Sequence, residues 1–114
     1  MNFLMEILFE DKKLQAILES EKKIKAKYGR LAPKIMQRLD EFISFETLDD
    51  LRREIPHIHC HELTGNKKGH LAINVSGNDR LLFKPEEPPP CKPDGGLDWK
   101  QIKTIIIVGI EDYH

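Results

Sequence analysis

Four consecutive β-branched residues, Ile105-Ile106-Ile107-Val108, follow Thr104 late in the chain. Successive side chains of a strand point to opposite faces, so a strand through this run turns apolar groups both ways at once. Such a strand belongs inside a sheet, with neighbours on either side and both faces shielded. The remainder of the chain must then supply flanking strands and at least one layer of helices. At 114 residues, with 39% hydrophobic and 32% charged side chains, the chain has the length and composition of one ordinary globular domain. We read residues 1–114 as that domain.

The flanking pieces are visible as changes of period. Phe3, Met5, Ile7 and Phe9 alternate with polar positions and read as a first strand with one buried face. Asp11 suits a helix N-cap, and Leu14, Ile17, Leu18, Ile24 and Tyr28 then trace one apolar stripe along a lysine-rich helix that stops at Gly29. Leu31, Ile35, Met36, Leu39, Phe42 and Ile43 predict a second helix with a wide core face, followed by a short amphipathic turn over 48–53. Beyond Pro56 the helical period disappears. Residues 59–63 read as a strand, and Leu71, Ile73 and Val75 pair through a Gly77-Asn78 turn with Leu81 and Phe83 as a hairpin. The proline- and glycine-rich stretch 85–96 reads as a surface loop, and Asp98 with Gln101 as a capping box on a one-turn helix. The expectation is an α+β fold in the order β-α-α-β-β-β-β, with two helices on one face of a mostly antiparallel sheet. If the hairpin buries its odd-numbered apolar residues, alternation sends Asn74, Arg80 and Lys84 to the opposite, open face.

Charge has to be read locally, because the whole chain carries a formal charge of only -1. Between residues 52 and 84 six basic residues stand against three acids, and four of the five histidines (His57, His59, His61 and His70) lie in the same stretch. That segment can offer phosphate a positive surface. Cys60 and Cys91 are too few and too far apart for a zinc ribbon or a disulfide framework and read as reduced thiols. The apolar start lacks a basic leader, is interrupted by Glu6 and is too short to span a bilayer. We expect a cytoplasmic protein without a membrane segment.

Three pieces of sequence resemble the HigB-like branch of the RelE/ParE superfamily of toxins: Cys60-His61-Glu62-Leu63-Thr64-Gly65-Asn66-Lys67-Lys68-Gly69, the hairpin from Val75 to Phe83, and the terminal Asp112-Tyr113-His114. The likeness follows the order of elements through almost the whole chain, with its motifs in the second half. It implies the toxin of a type II toxin–antitoxin system, a ribosome-dependent endoribonuclease acting on mRNA without metal or other cofactor. It also implies neutralisation by a cognate antitoxin, a helix-turn-helix protein encoded by the adjacent gene. The near-neutral charge and the long 85–96 loop depart from the usual pattern of these toxins, which are commonly basic.

Metal-free RNA cleavage needs a base for the 2′-hydroxyl proton, an acid for the leaving 5′-oxygen and positive charge on the phosphorane. Histidine suits the first two roles and arginine the third. His61, His114 and Arg80 are the candidates, and the resemblance points to the same three together with Asp112 and Tyr113. We assign His61 provisionally as base and His114 as acid, an assignment open to exchange. Lys67, Lys68 and Lys84 are candidate RNA contacts that position the phosphate backbone. Each has a plainer reading: His61 as a hydrogen-bonded strand-end residue, Arg80 as a solvated charge beside Asp79, the lysines as ordinary turn residues, Tyr113 as cover for the core edge. Two alternatives differ in class. His57, His59 and His61 fall at period two, so in a regular strand they share a face and, with Cys60 and His70, offer donors to a transition metal. The other alternative is a non-catalytic binder, acting on a protein target as ParE-like toxins do.

Overall fold

The computed structural model describes residues 4–112. Its strands are β1 (Glu6–Phe9), β2 (His61–Glu62), β3 (Leu71–Asn74), β4 (Asp79–Pro85) and β5 (Thr104–Asp112). Its α-helices are α1 (Lys12–Leu18), α2 (Glu21–Tyr28), α3 (Ala32–Phe42) and α4 (Leu48–Glu54). The strands form one sheet in the order β1-β5-β4-β3-β2, antiparallel except for the parallel β1/β5 pair. The isoleucine-rich strand therefore lies inside the sheet, with a neighbour on each side. Among the described residues, no helix is long and apolar enough to cross a membrane.

The odd positions of the sheet make the core. Leu71, Ile73, Val75, Leu81, Phe83, Ile105 and Ile107 are buried in one cluster with Leu14, Leu18, Ile24, Ile35, Phe42, Leu48 and Leu51 of the four helices. Phe42 of α3 meets Phe83 of β4 edge to face, with centroids 5.0 Å apart and planes at 73°, a geometry worth about 1 kcal/mol beyond the area it buries. Met5 is buried and Ile7 and Phe9 pack against the same cluster, as alternation requires; Phe3 lies outside the described residues. The expected α+β architecture is present, with helices on one face of the sheet.

Several local expectations need correction. The stretch read as one lysine-rich helix is two, because Ser20 leaves the helical region (φ -125°, ψ 113°) and its hydroxyl accepts from Lys23 N at 3.2 Å, capping a new helix. The turn over 48–53 is a full helix, α4, capped by Thr47, whose Oγ1 accepts from Asp50 N at 3.1 Å. The helical order is thus β-α-α-α-α-β-β-β-β. On α3 the apolar stripe is interrupted by Arg38, which is buried: its Nε donates to Asn74 O at 2.6 Å and its Nη1 to Glu41 at 2.8 Å, tying the helix to the end of β3. Asp98 makes no side-chain cap, and Trp99–Gln101 forms a 3-10 turn.

The expected strand over 59–63 shrinks to two residues. Pro56–Ile58 forms a 3-10 turn and His59 takes the left-handed conformation, φ 54° and ψ 58°, a position a non-glycine residue seldom occupies. No regular strand passes through His57 and His59, so the shared imidazole face required for the metal-binding reading does not form. Among the described residues, no group of three His, Cys, Asp or Glu side chains is placed to hold a metal ion.

One irregularity redirects the final strand. Phe83 pairs with Ile107 but Leu82 with Gly109, so Val108 is an extra residue and β5 carries a bulge. Before it, Ile105 and Ile107 face the helices. After it the parity reverses: Ile110 packs on the core, and Gly109 and Glu111 turn to the open face opposite Leu82 and Arg80.

Candidate functional site

The open face of the sheet is built by the even positions of the hairpin. Asn74 and Arg80 are directly paired, as are Ala72 and Leu82, and His61 of β2 lies opposite Ala72. Directly opposed residues project to the same side, which brings His61, Asn74, Arg80, Leu82 and Lys84 onto the face away from the helices. Ala72 and Leu82 are buried there and form an apolar floor between the polar ends.

The strongest electrostatic contacts of this face centre on Glu111. Arg80 donates to Glu111 Oε1 through Nε at 2.7 Å, and its Nη2 lies 2.6 Å from the same oxygen, closing an ion pair. Lys67 reaches across from the loop before β3 and places its Nζ 3.4 Å from Glu111 Oε2. Arg80 keeps only 16% of its side chain exposed and Glu111 29%. Burial pushes the Glu111 carboxyl up, but hydrogen bonds and charge from Arg80 and Lys67 outweigh it and hold the group below the ordinary carboxylate value. Among the described residues, two cations face one carboxylate in this cluster.

The remaining candidates stand around it. Lys84 lies four residues along β4, roughly 13 Å from Arg80 at strand rise, with its Nζ 3.5 Å from Glu10 of the β1 end. His61 lies two strands and two residues from Arg80, roughly 12 Å between Cα positions. Its Nδ1 is 2.8 Å from His59 O. A carbonyl only accepts, so Nδ1 carries the proton, and in the neutral ring Nε2 is the basic nitrogen. The imidazole of His59 supports that of His61, with centroids 4.2 Å apart and planes tilted by 31°. The left-handed turn that removes the metal face thus orients His61.

Lys68 does not join the group: it lines a separate groove of about 620 Å³ between Glu62, Thr64 and Gly95. Asp112 ends β5 opposite Asp79 and is exposed, and strand alternation past the bulge puts it on the other side of the sheet from Glu111. Tyr113 and His114 lie outside the described residues. Cys60 is half-buried and its thiol is pushed up to about 12 by burial, which makes it a poor thiolate ligand or nucleophile.

Sequence reasoning missed Glu111. Strict alternation from Ile105 and Ile107 puts it on the helix side, and only the bulge at Val108 brings it to Arg80. It also missed the polar network beside β2. There Trp99 Nε1 donates to Glu62 at 3.0 Å, the Arg52 guanidinium lies 4.1 Å from the Trp99 ring centroid, and buried Asp49 pairs with Arg52 and Arg53. A cleft of about 410 Å³ opens beside these residues, and within its lining Asp49 and Arg52 are paired to each other.

No family model matches the sequence, and no curated protein matches it either. Solved structures do. One is a YoeB/ParE toxin from Agrobacterium tumefaciens, with a TM-score of 0.53 at 8% identity over 96% of this chain and 100% of the other. The toxin–antitoxin complex RelBE2 from Mycobacterium tuberculosis gives a TM-score of 0.45 at 18% identity over 97% and 99% of the two chains. The YoeB–YefM complex from Staphylococcus aureus gives 0.47 at 14% over 96% and 97%. The last two overlap too loosely to support an argument. Despite almost no shared sequence, the chain has the fold of the Agrobacterium YoeB/ParE toxin along nearly its whole length.

Proposed function

We propose that residues 1–114 form one toxin domain of a type II toxin–antitoxin system, a cytoplasmic, ribosome-dependent endoribonuclease that cleaves mRNA and is neutralised by a cognate antitoxin. The supporting observation is an open sheet face, on a toxin-like fold, that gathers Arg80, Lys67 and a histidine whose Nε2 is free to be basic. Arg80 neutralises the phosphorane by its forked donors, Lys67 and Lys84 hold the flanking phosphates, and His61 takes the 2′-hydroxyl proton through Nε2. Asp112, Tyr113 and His114 complete the site in this reading, with His114 protonating the leaving 5′-oxygen. The HigB-like branch and the antitoxin both rest on the resemblance of the sequence motifs. No step requires a cofactor.

The test is induced expression with growth measurement and transcript mapping, comparing the native chain with Arg80→Ala. The native chain should arrest growth and leave cuts within ribosome-bound messages; Arg80→Ala should fold and lose cutting by roughly 100-fold or more, as loss of a charge-stabilising group does. Arg80→Lys should recover only part of the activity, because the fork is lost. Undiminished cutting by Arg80→Ala removes Arg80 from the mechanism.

One observation favours a second reading. Arg80, Lys67 and Lys84 each have a carboxylate within 3.5 Å, as expected of a surface that binds a protein target without cleaving RNA. Growth arrest without any transcript cleavage would select this ParE-like alternative.

A further inference from the structure

The Glu111 carboxylate already engages the cations that this face would offer a phosphate. It accepts from Arg80 Nε at 2.7 Å, lies 2.6 Å from Arg80 Nη2 and stands 3.4 Å from Lys67, cations that would equally hold a phosphate anion. It is delivered there by the Val108 bulge and by its register opposite Arg80, so its position belongs to the sheet and not to a loose side chain. Its net charge at neutral pH is assured by the same two cations, which hold the carboxyl below its ordinary value.

We infer that Glu111 is a built-in counter-anion that competes with phosphodiester ligands for Arg80 and Lys67, so that the face binds RNA only when its own carboxylate is displaced. This rests on the reading of the open face as an RNA site and adds a restraint to it. A carboxylate with one negative charge is a weaker partner for the Arg80–Lys67 pair than a backbone presenting several phosphates in register. Displacement is therefore favoured by an extended anionic strand and disfavoured for isolated phosphate groups. The contact suppresses indiscriminate binding while leaving the site competent when a strand is presented in position. Glu111 acts through Arg80 and Lys67 and takes no part in bond breaking, which makes it a positioning residue.

The experiment measures binding of a short single-stranded deoxyribo-oligonucleotide, which supplies phosphodiesters but no 2′-hydroxyl and cannot be cleaved by the proposed route. Glu111→Gln keeps the shape and removes the charge; it should bind the oligonucleotide roughly ten-fold more tightly, a difference of one favourable charge contact. The logarithmic salt dependence should steepen, because the carboxylate no longer competes with phosphate for Arg80 and Lys67. The gain should vanish in the double variant Arg80→Ala/Glu111→Gln. Unchanged or weaker binding by Glu111→Gln, or a gain that survives without Arg80, overturns the inference. If Glu111→Gln fails to fold by circular dichroism, Glu111→Asp serves instead: it keeps the charge but falls one methylene short of Arg80, and it should tighten binding to a smaller degree. No tightening there overturns the inference equally. The outcome is separate from that of the nuclease reading. A protein that never cuts RNA can still show the Arg80-dependent gain, and one that cuts RNA with no such gain retains the nuclease and loses the restraint.

Discussion

Among the described residues, Asp49 and Glu111 are carboxylates held ionised by neighbours, and they shape stability in acid. Hydrogen bonding from Arg52, with further help from Arg53, lowers the buried Asp49 from its ordinary 3.8, and Arg80 and Lys67 lower Glu111 from 4.5 against the opposing effect of burial. A carboxyl depressed in the folded state binds protons more readily when unfolded. Its contribution is therefore complete above the unfolded value and is lost as pH falls through the folded one. Denaturant titrations should show stability roughly constant near neutrality and falling as pH drops below about 4.5. Asp49→Asn should cost about 1–3 kcal/mol at neutral pH by leaving two guanidinium groups poorly partnered, and should flatten the acid decline. A pH profile of unfolding identical to that of the native chain would show that Asp49 does not titrate as its contacts indicate.

At the scale of elements, the legible and the hidden parts of this fold separate by whether a signal is local. The inner position of residues 104–108, the Leu71–Phe83 hairpin and the side of the sheet taken by Arg80 follow from period two, which a single strand carries within itself. The break at Ser20 was also written locally, as an N-cap residue inside a helical stripe, but the stripe runs on through Ile24 and Tyr28 and masks it. Ser20→Ala removes the bond to Lys23 N and should lower stability by about 1 kcal/mol, read as a fall in thermal midpoint; no change would show that packing alone holds the break. The bulge at Val108 and the left-handed His59 leave no such mark. An extra residue in a ladder is defined by its partner strand, and His59 by the chain turning from Pro56–Ile58 into β2. Glu111 facing Arg80 and the loss of a regular strand through His57 and His59 depend on these two features, which is why the candidate site was legible in its cations and not in its counter-anion.

The whole molecule distributes charge unevenly although its formal total is only -1. Lys12, Lys13, Lys22, Lys23, Lys25 and Lys27 are all exposed on α1 and α2, with Lys25 paired to Glu21 at 3.1 Å. The helices pack on the face of the sheet opposite Arg80, so the molecule carries two basic surfaces rather than one. A target that surrounds the protein, such as ribosomal RNA, would engage both. Reversing Lys22, Lys23 and Lys25 to glutamate should leave the fold intact and weaken association with ribosomes in a salt-dependent way, whereas antitoxin binding would fall instead if this face holds an acidic antitoxin segment. If neither association changes in titrations at two salt concentrations, the lysines serve only as a solvated surface.

The parallel pairing of β1 with β5 joins residues about a chain length apart: Glu6 stands beside Thr104 and Phe9 beside Ile107. Within the described residues β1 has no other strand neighbour, and β4 is an edge until β5 arrives between them. A nascent chain emerging from a ribosome therefore holds β1 unpaired until β5 has been made, and closing so long a loop is slow compared with forming the local hairpin. The two halves of the sheet cannot be joined early. Whatever surface the joined sheet presents is therefore completed only after β5 has been made, long after the hairpin of β3 and β4 can form.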